Sequence, residues 1–184
     1  MCKILLVCTG NTCRSVMAAA IFKQRAAEHN INVTVDSAGL MVFNAAPAAE
    51  HAQDVMKRFG IDVSDHLSTQ LDMRNIADYD LILTMADAHK KQILELHPKL
   101  SDRVFILKEF VFRIRQETRN QKENGINISN MLDKQDMTAE FDVPDPYGQS
   151  LAVYEKTAKE LTEIIDAIIA EWDKVTAVIR DLSQ

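Results

Sequence analysis

The sequence predicts an α/β fold, a mostly parallel sheet with helices on both faces. Short apolar, β-branched runs recur along the chain, longer segments with a helical apolar stripe lie between them, and Gly, Pro or Asn marks most junctions. A chain of 184 residues, 47% of them apolar, suits one domain with a substantial core.

Lys3 to Val7 reads as a buried first strand, bounded by Gly10-Asn11. Ser15 then opens a helix to about Glu28, with Met17, Ile21, Phe22 and Ala26 on its apolar side. Ile31 to Asp36 is the expected second strand, ending at Ser37-Ala38-Gly39. Pro47 to Arg58 reads as a helix stopped by Gly60. Tyr79 to Met85 is a third buried strand, followed by a helix from about Ala86 to Leu96 that stops near Pro98. Val104 to Ile106 is a brief fourth strand. Ser150 to about Asp181 is expected as one long amphipathic helix, with Leu151, Tyr154, Leu161, Ile164, Ile165 and Ile168 as its stripe. Phe112 to Thr138 fits poorly, being polar with an Asn124-Gly125 turn signal, and reads as a partly helical surface insertion in a single domain spanning 1–184.

Charge and cysteine content narrow the function classes. A net charge of −6 argues against non-specific nucleic-acid binding, which needs clustered cations. The apolar N-terminal run is short, and no later run approaches the ~18 residues of a membrane span, so a soluble, cytoplasmic protein without membrane attachment is expected. Three cysteines suggest no disulfide framework, and no Cys or His pair has metal-ligand spacing. Cys2 is expected to be a buried strand residue. His29, His51, His89 and His97 have no pairing and are expected on the surface.

In doubly wound sheets the site lies at the carboxyl ends of the strands, and the first strand ends at Cys8. Cys8-Thr9-Gly10-Asn11-Thr12-Cys13-Arg14-Ser15 joins it to a helix N-terminus, where free amides and the helix dipole favour an anion. Gly10 and Asn11 both tolerate positive φ, so the loop can curl its amides inward. Arg14 can fork onto two phosphate oxygens. The same field favours a thiolate at Cys8, placed for in-line attack on a bound phosphoryl group. The bare Cys-x5-Arg spacing fits a structural cysteine near a surface arginine as well; the strand, the Gly-Asn curl and the Ser move the balance to phosphate chemistry. Cys13 is either an inert small residue or a redox partner that could protect Cys8 through a reversible disulfide.

Expelling the leaving group needs a proton. Asp145 stands between Pro144 and Pro146 in a rigid turn ending at Tyr147-Gly148, and a partly desolvated carboxyl there could give that proton and later accept one from water.

Together the Cys-x5-Arg-Ser loop and the Asp-Pro-Tyr-Gly turn resemble the low-molecular-weight protein tyrosine phosphatase family, over nearly the whole chain except 112–138. The resemblance implies a four-stranded parallel sheet, no cofactor and no metal. It implies Cys8 as nucleophile, Arg14 as phosphate clamp, Asp145 as general acid/base, and Ser15 as a hydrogen-bond partner of the Cys8 thiolate. Asn11, Ser37 and His66 match a network that holds the loop open; alone, His66 reads as an exposed loop residue. Phe43 and Tyr147 match pocket-wall aromatics, although Phe43 could equally be core. Val16 departs from the usual proline. Thr12 in Thr-Gly-Asn-Thr-Cys-Arg-Ser, with Leu107-Lys108-Glu109-Phe110 and Ser150-Leu151-x-x-Tyr154, is similar to the protein-arginine phosphatase branch. Phosphoarginine in phosphorylated proteins is therefore the favoured substrate and phosphotyrosine the alternative. An arsenate reductase lacks its relay cysteines here, and a non-catalytic phosphoprotein-binding module would not need both Cys8 and Asp145.

Overall fold

Every residue from Ile4 to Cys8 is buried, which is why the first strand reads as an unbroken apolar run rather than an alternating one. The computed structural model describes residues 2–72, 75–120 and 138–182. Strands β1 (Cys2–Cys8), β2 (Val33–Gly39), β3 (Leu81–Thr84) and β4 (Val104–Ile106) pair in parallel in the order β2-β1-β3-β4. Ile4, Leu6 and Cys8 enter one core with the apolar faces of α1 (Arg14–Glu28), α2 (Glu50–Arg58), α4 (Leu107–Asn120), α5 (Leu151–Ala170) and α6 (Trp172–Leu182). Leu5 and Val7 enter a smaller core with Leu40, Ile76, Leu100 and Ile93 of α3 (Asp87–Leu96). With both faces of β1 covered, its carboxyl end remains the open edge. There Cys8 lies opposite Gly39, and Val7 opposite Thr84.

Several boundaries differ from the sequence expectation, and the third strand, expected over Tyr79 to Met85, is confined to Leu81–Thr84. The second strand starts at Val33 because the Ile31 amide is bonded to the Ala26 carbonyl, closing the end of α1 around Asn30 at φ 54°. It runs on through Gly39 by pairing with Leu6 to Cys8. The helix expected from Pro47 starts at Glu50, since Pro47 bridges to Leu67 and Ala49 is extended. The long C-terminal helix breaks at Glu171, whose amide bonds three residues back to Ile168. The new helix then starts with Trp172 edge-on to Phe22, ring centroids 6.2 Å apart. Cys2 is half-buried rather than buried.

The expected insertion also needs correction at its start. Residues 112–120 continue α4, and Ile114 and Arg113 are buried beside Phe110 and Val111. Arg113 pairs with buried Glu109, which also takes Lys90 at 3.0 Å and the Ile106 amide at 3.2 Å. Charges paired within the core made this stretch look polar in sequence. Residues 121–137 of the expected insertion lie outside the described residues. Among the described residues, no helix is long and apolar enough to cross a membrane.

Candidate active site

Between the end of β1 and the start of α1, the chain wraps around the Cys8 sulfur. No side chain caps α1, so the amides of its first turn lack acceptors within the helix. Two donors meet the sulfur: the Asn11 amide at 3.2 Å and the Ser15 hydroxyl at 3.0 Å. The direction of the second bond follows from Asn11. Its Oδ1 accepts the Thr69 amide at 2.9 Å, which orients the side-chain amide. Nδ2 then donates to Ser15 Oγ and Ser37 Oγ, each at 2.9 Å. Ser15 Oγ accepts that bond, so its own proton is left for the sulfur. Donors aimed at a cysteine sulfur suit a thiolate nucleophile.

Asn11 is fully buried at φ 52°. Its carbonyl accepts His66 Nε2–H at 2.8 Å, so all of its polar groups are used. Positive φ belongs to Asn11 alone in the loop, and not to Gly10 as the sequence allowed. A second support comes from Gly39. A Cβ there would lie 2.7 Å from the Thr9 carbonyl oxygen and 3.0 Å from the Asn11 amide, so only glycine lets β2 press against the loop. Asn11→Ala is expected to destabilise the fold by about 2–4 kcal/mol through left-handed strain and orphaned partners, and to lower kcat/KM by about 100-fold. Denaturant melts and kinetics check this, and Asn11→Gly should recover part of the stability but not the activity. Wild-type activity in Asn11→Ala would show that the network does not hold the loop.

Arg14 is 5% exposed and faces the acid turn. Nη1 donates to the Val143 carbonyl at 3.2 Å, and Nη2 is ion-paired with Asp145 Oδ2. Nε is buried without a hydrogen-bond partner, an N–H that a phosphoryl oxygen would satisfy. The Asp145 side chain is 48% exposed, more open than the desolvated acid expected from the sequence. Its Oδ1 accepts the Tyr147 amide at 3.1 Å, and Gly148 at φ 73° turns the chain away into α5. Just upstream the turn is moored: Val143 donates to Met85, Asp142 Oδ1 accepts the Asp87 amide, and the Asp142 carbonyl accepts Lys108 Nζ, each at 2.8 Å.

Residues 3–123 match the model of the low molecular weight phosphotyrosine protein phosphatase family. The chain belongs to that family. The phosphatase is 34% identical to the protein-arginine-phosphatase of Geobacillus stearothermophilus, over 90% of this chain and 93% of that one. The low molecular weight protein tyrosine phosphatase structure from T. tengcongensis superposes with a TM-score of 0.73 at 36% identity, covering 92% of this chain and 99% of the other. A cysteine-to-serine mutant of YwlE arginine phosphatase, with a phosphorylated active site serine, superposes at 0.75 and 31% identity, covering 96% and 99%.

The remaining residues singled out in the phosphatase sequence fall into three groups. Thr12 is half-buried in the loop, its carbonyl accepting the Ala49 amide at 2.9 Å. Cys13 bonds to Tyr154 of α5 at 3.2 Å, and burial pushes its thiol up, so Cys13 is tied to a helix rather than poised as a thiolate. Phe43 is 89% exposed, which removes the core alternative, and Tyr147 is 72% exposed beside the acid.

Three positions with a place in the site, Thr69, Gly39 and His89, were missed by sequence reasoning, and Tyr154 was noted only within a motif and a helix stripe. Thr69 fixes the Asn11 amide, Gly39 admits the loop, and Tyr154 holds Cys13 with His51 edge-on at 5.5 Å. His89, expected on the surface, is 7% exposed and bonds through Nε2 to Thr9 Oγ1 at 2.9 Å. Of the three, only Gly39 left a signal, as a glycine closing a strand opposite Cys8. Among the described residues no cluster of three His, Cys, Asp or Glu could hold a metal.

Proposed function

We propose that this phosphatase acts on phosphoarginine in proteins in preference to phosphotyrosine, with Cys8 as nucleophile, Arg14 as phosphate clamp and Asp145 as general acid/base. The convergence of two donors on the Cys8 sulfur beside the Arg14–Asp145 pair carries the mechanistic part of this reading. The Thr9, Gly10, Thr12, Cys13 and Ser15 amides complete the anion cradle. When phosphoryl oxygens take the guanidinium fork, Asp145 is released to serve the leaving group. The thiolate forms a bond to phosphorus, the bond to the guanidine nitrogen breaks, and Asp145 passes its proton to that nitrogen. Water then attacks the thiophosphate, gives a proton to Asp145, and phosphate leaves with the Cys8 thiolate restored.

Thr12 supports arginine. A hydroxyl beside the cradle offers a polar contact to a guanidinium, where an aliphatic side chain would pack on a ring. The likeness to protein-arginine-phosphatases supports the same choice. Exposed Phe43 and Tyr147 are the proposed pocket-wall aromatics. A single domain acting in the cytoplasm on phosphoproteins fits this chemistry.

The test compares kcat/KM on phosphoarginine and phosphotyrosine peptides for wild type and Thr12→Ile. Arginine preference in wild type, shifted toward tyrosine about 5- to 10-fold or more by the substitution, is expected. Wild-type preference for phosphotyrosine would overturn the arginine reading and leave the cysteine mechanism intact.

A further inference from the structure

His89 stands in the first turn of α3, buried between the phosphate loop and the acid turn. Its Nε2 meets Thr9 Oγ1 at 2.9 Å, while its Nδ1 is buried with no hydrogen-bond partner. A buried N–H without an acceptor is rarer and costlier than an unused lone pair. The ring proton therefore sits on Nε2 and is donated to Thr9. Desolvation, with the Arg14 guanidinium adding to it against Asp142 and Asp145, pushes the imidazole down to about 4, so the ring is neutral at neutral pH.

Thr9 directly follows the nucleophile and is exposed. Its carbonyl is fixed by the Met41 amide at 2.9 Å. Its hydroxyl would be a free rotor without His89. Accepting the Nε2–H leaves that hydroxyl with its own proton to donate, in a set direction, on the open side of the loop.

We propose that His89 is a positioning residue of the phosphatase that acts through Thr9, clamping the first residue after the nucleophile and orienting its hydroxyl. The clamp ties α3 to the loop from the side opposite the Asn11 network. This rests on reading 8–15 as the phosphate-binding loop.

A double-mutant cycle in the full chain tests it, with kcat and KM on an aryl phosphate and inhibition by inorganic phosphate as readouts. His89→Leu and Thr9→Val should each lower kcat/KM about 5- to 10-fold, and the double variant should be no worse than either. His89→Gln, whose amide can occupy the Nε2 position, should stay within about 2-fold of wild type. Additive losses would overturn the proposal. So would His89→Gln as impaired as His89→Leu at equal melting temperature. If His89→Leu fails to fold, full activity in Thr9→Val would overturn it. An inactive wild type would instead remove the reading of the loop, and the clamp with it.

Discussion

Replacing Cys8 with serine is expected to lower turnover by about 10⁴-fold or more while leaving the protein folded and able to bind inorganic phosphate. The two donors that meet the sulfur come from the Asn11 amide and the Ser15 hydroxyl, and neither depends on the atom they serve. Arg14 and the first-turn amides are likewise untouched. In the proposed mechanism the loss is that of the nucleophile, since a serine hydroxyl without an adjacent general base is far less reactive than a thiolate. Single-turnover kinetics on an aryl phosphate and titration with phosphate separate the two effects. Intact mass spectrometry adds a second readout: phosphate retained at position 8 after long incubation would identify that atom as the acceptor. Turnover within 10-fold of wild type would mean that the nucleophile lies elsewhere.

Asp145→Asn is expected to lower kcat by about 10²- to 10⁴-fold, and unevenly across substrates. The amide oxygen keeps one of the two bonds, from the Tyr147 amide or from Arg14, while its NH2 faces the other donor, so the variant loses the proposed proton donor together with part of the contact to Arg14. Aryl phosphates with acidic phenols leave without help and should suffer least. Phosphoarginine and alkyl phosphates should suffer most. The slope of log kcat against leaving-group acidity, measured for both proteins, is the deciding quantity. Equal losses across the series would assign Asp145 a purely structural part.

The sheet and most helices were legible because β1, β3 and β4 are buried on both faces and most helices carry a period that composition does not mask. The reading failed where a local pattern answered to something distant. Arg113 and Glu109 look like solvent-facing charges, yet they neutralise one another under α4. The apolar stripe from Leu151 onward predicts one helix, but it breaks at Glu171, and the next helix begins with Trp172 edge-on to Phe22. In the site, residues adjacent in sequence were legible, because a strand-loop-helix with Cys, Arg and Ser has few uses. Asp145 was legible through its flanking prolines. His89 and Thr69 were not, since their roles exist only as hydrogen bonds to residues 80 and 58 positions away. An isolated histidine on a largely polar helix or a threonine in a loop carries no mark of such a partner.

The moorings at Asp142 and Val143 isolate the acid from the chain that precedes it. Met85, Asp87 and Lys108 belong to the end of β3 and the starts of α3 and α4, all fixed by the sheet, and they grip the backbone two to three residues before Asp145. The backbone that leads into Asp145 is therefore positioned by elements of the sheet, and a connection between residues 120 and 138 can vary in length at little entropic cost. Doubling such a connection adds only about 0.6 kcal/mol of closure entropy. Insertions ahead of Asp142 thus cost little in closure entropy so long as these three bonds are kept.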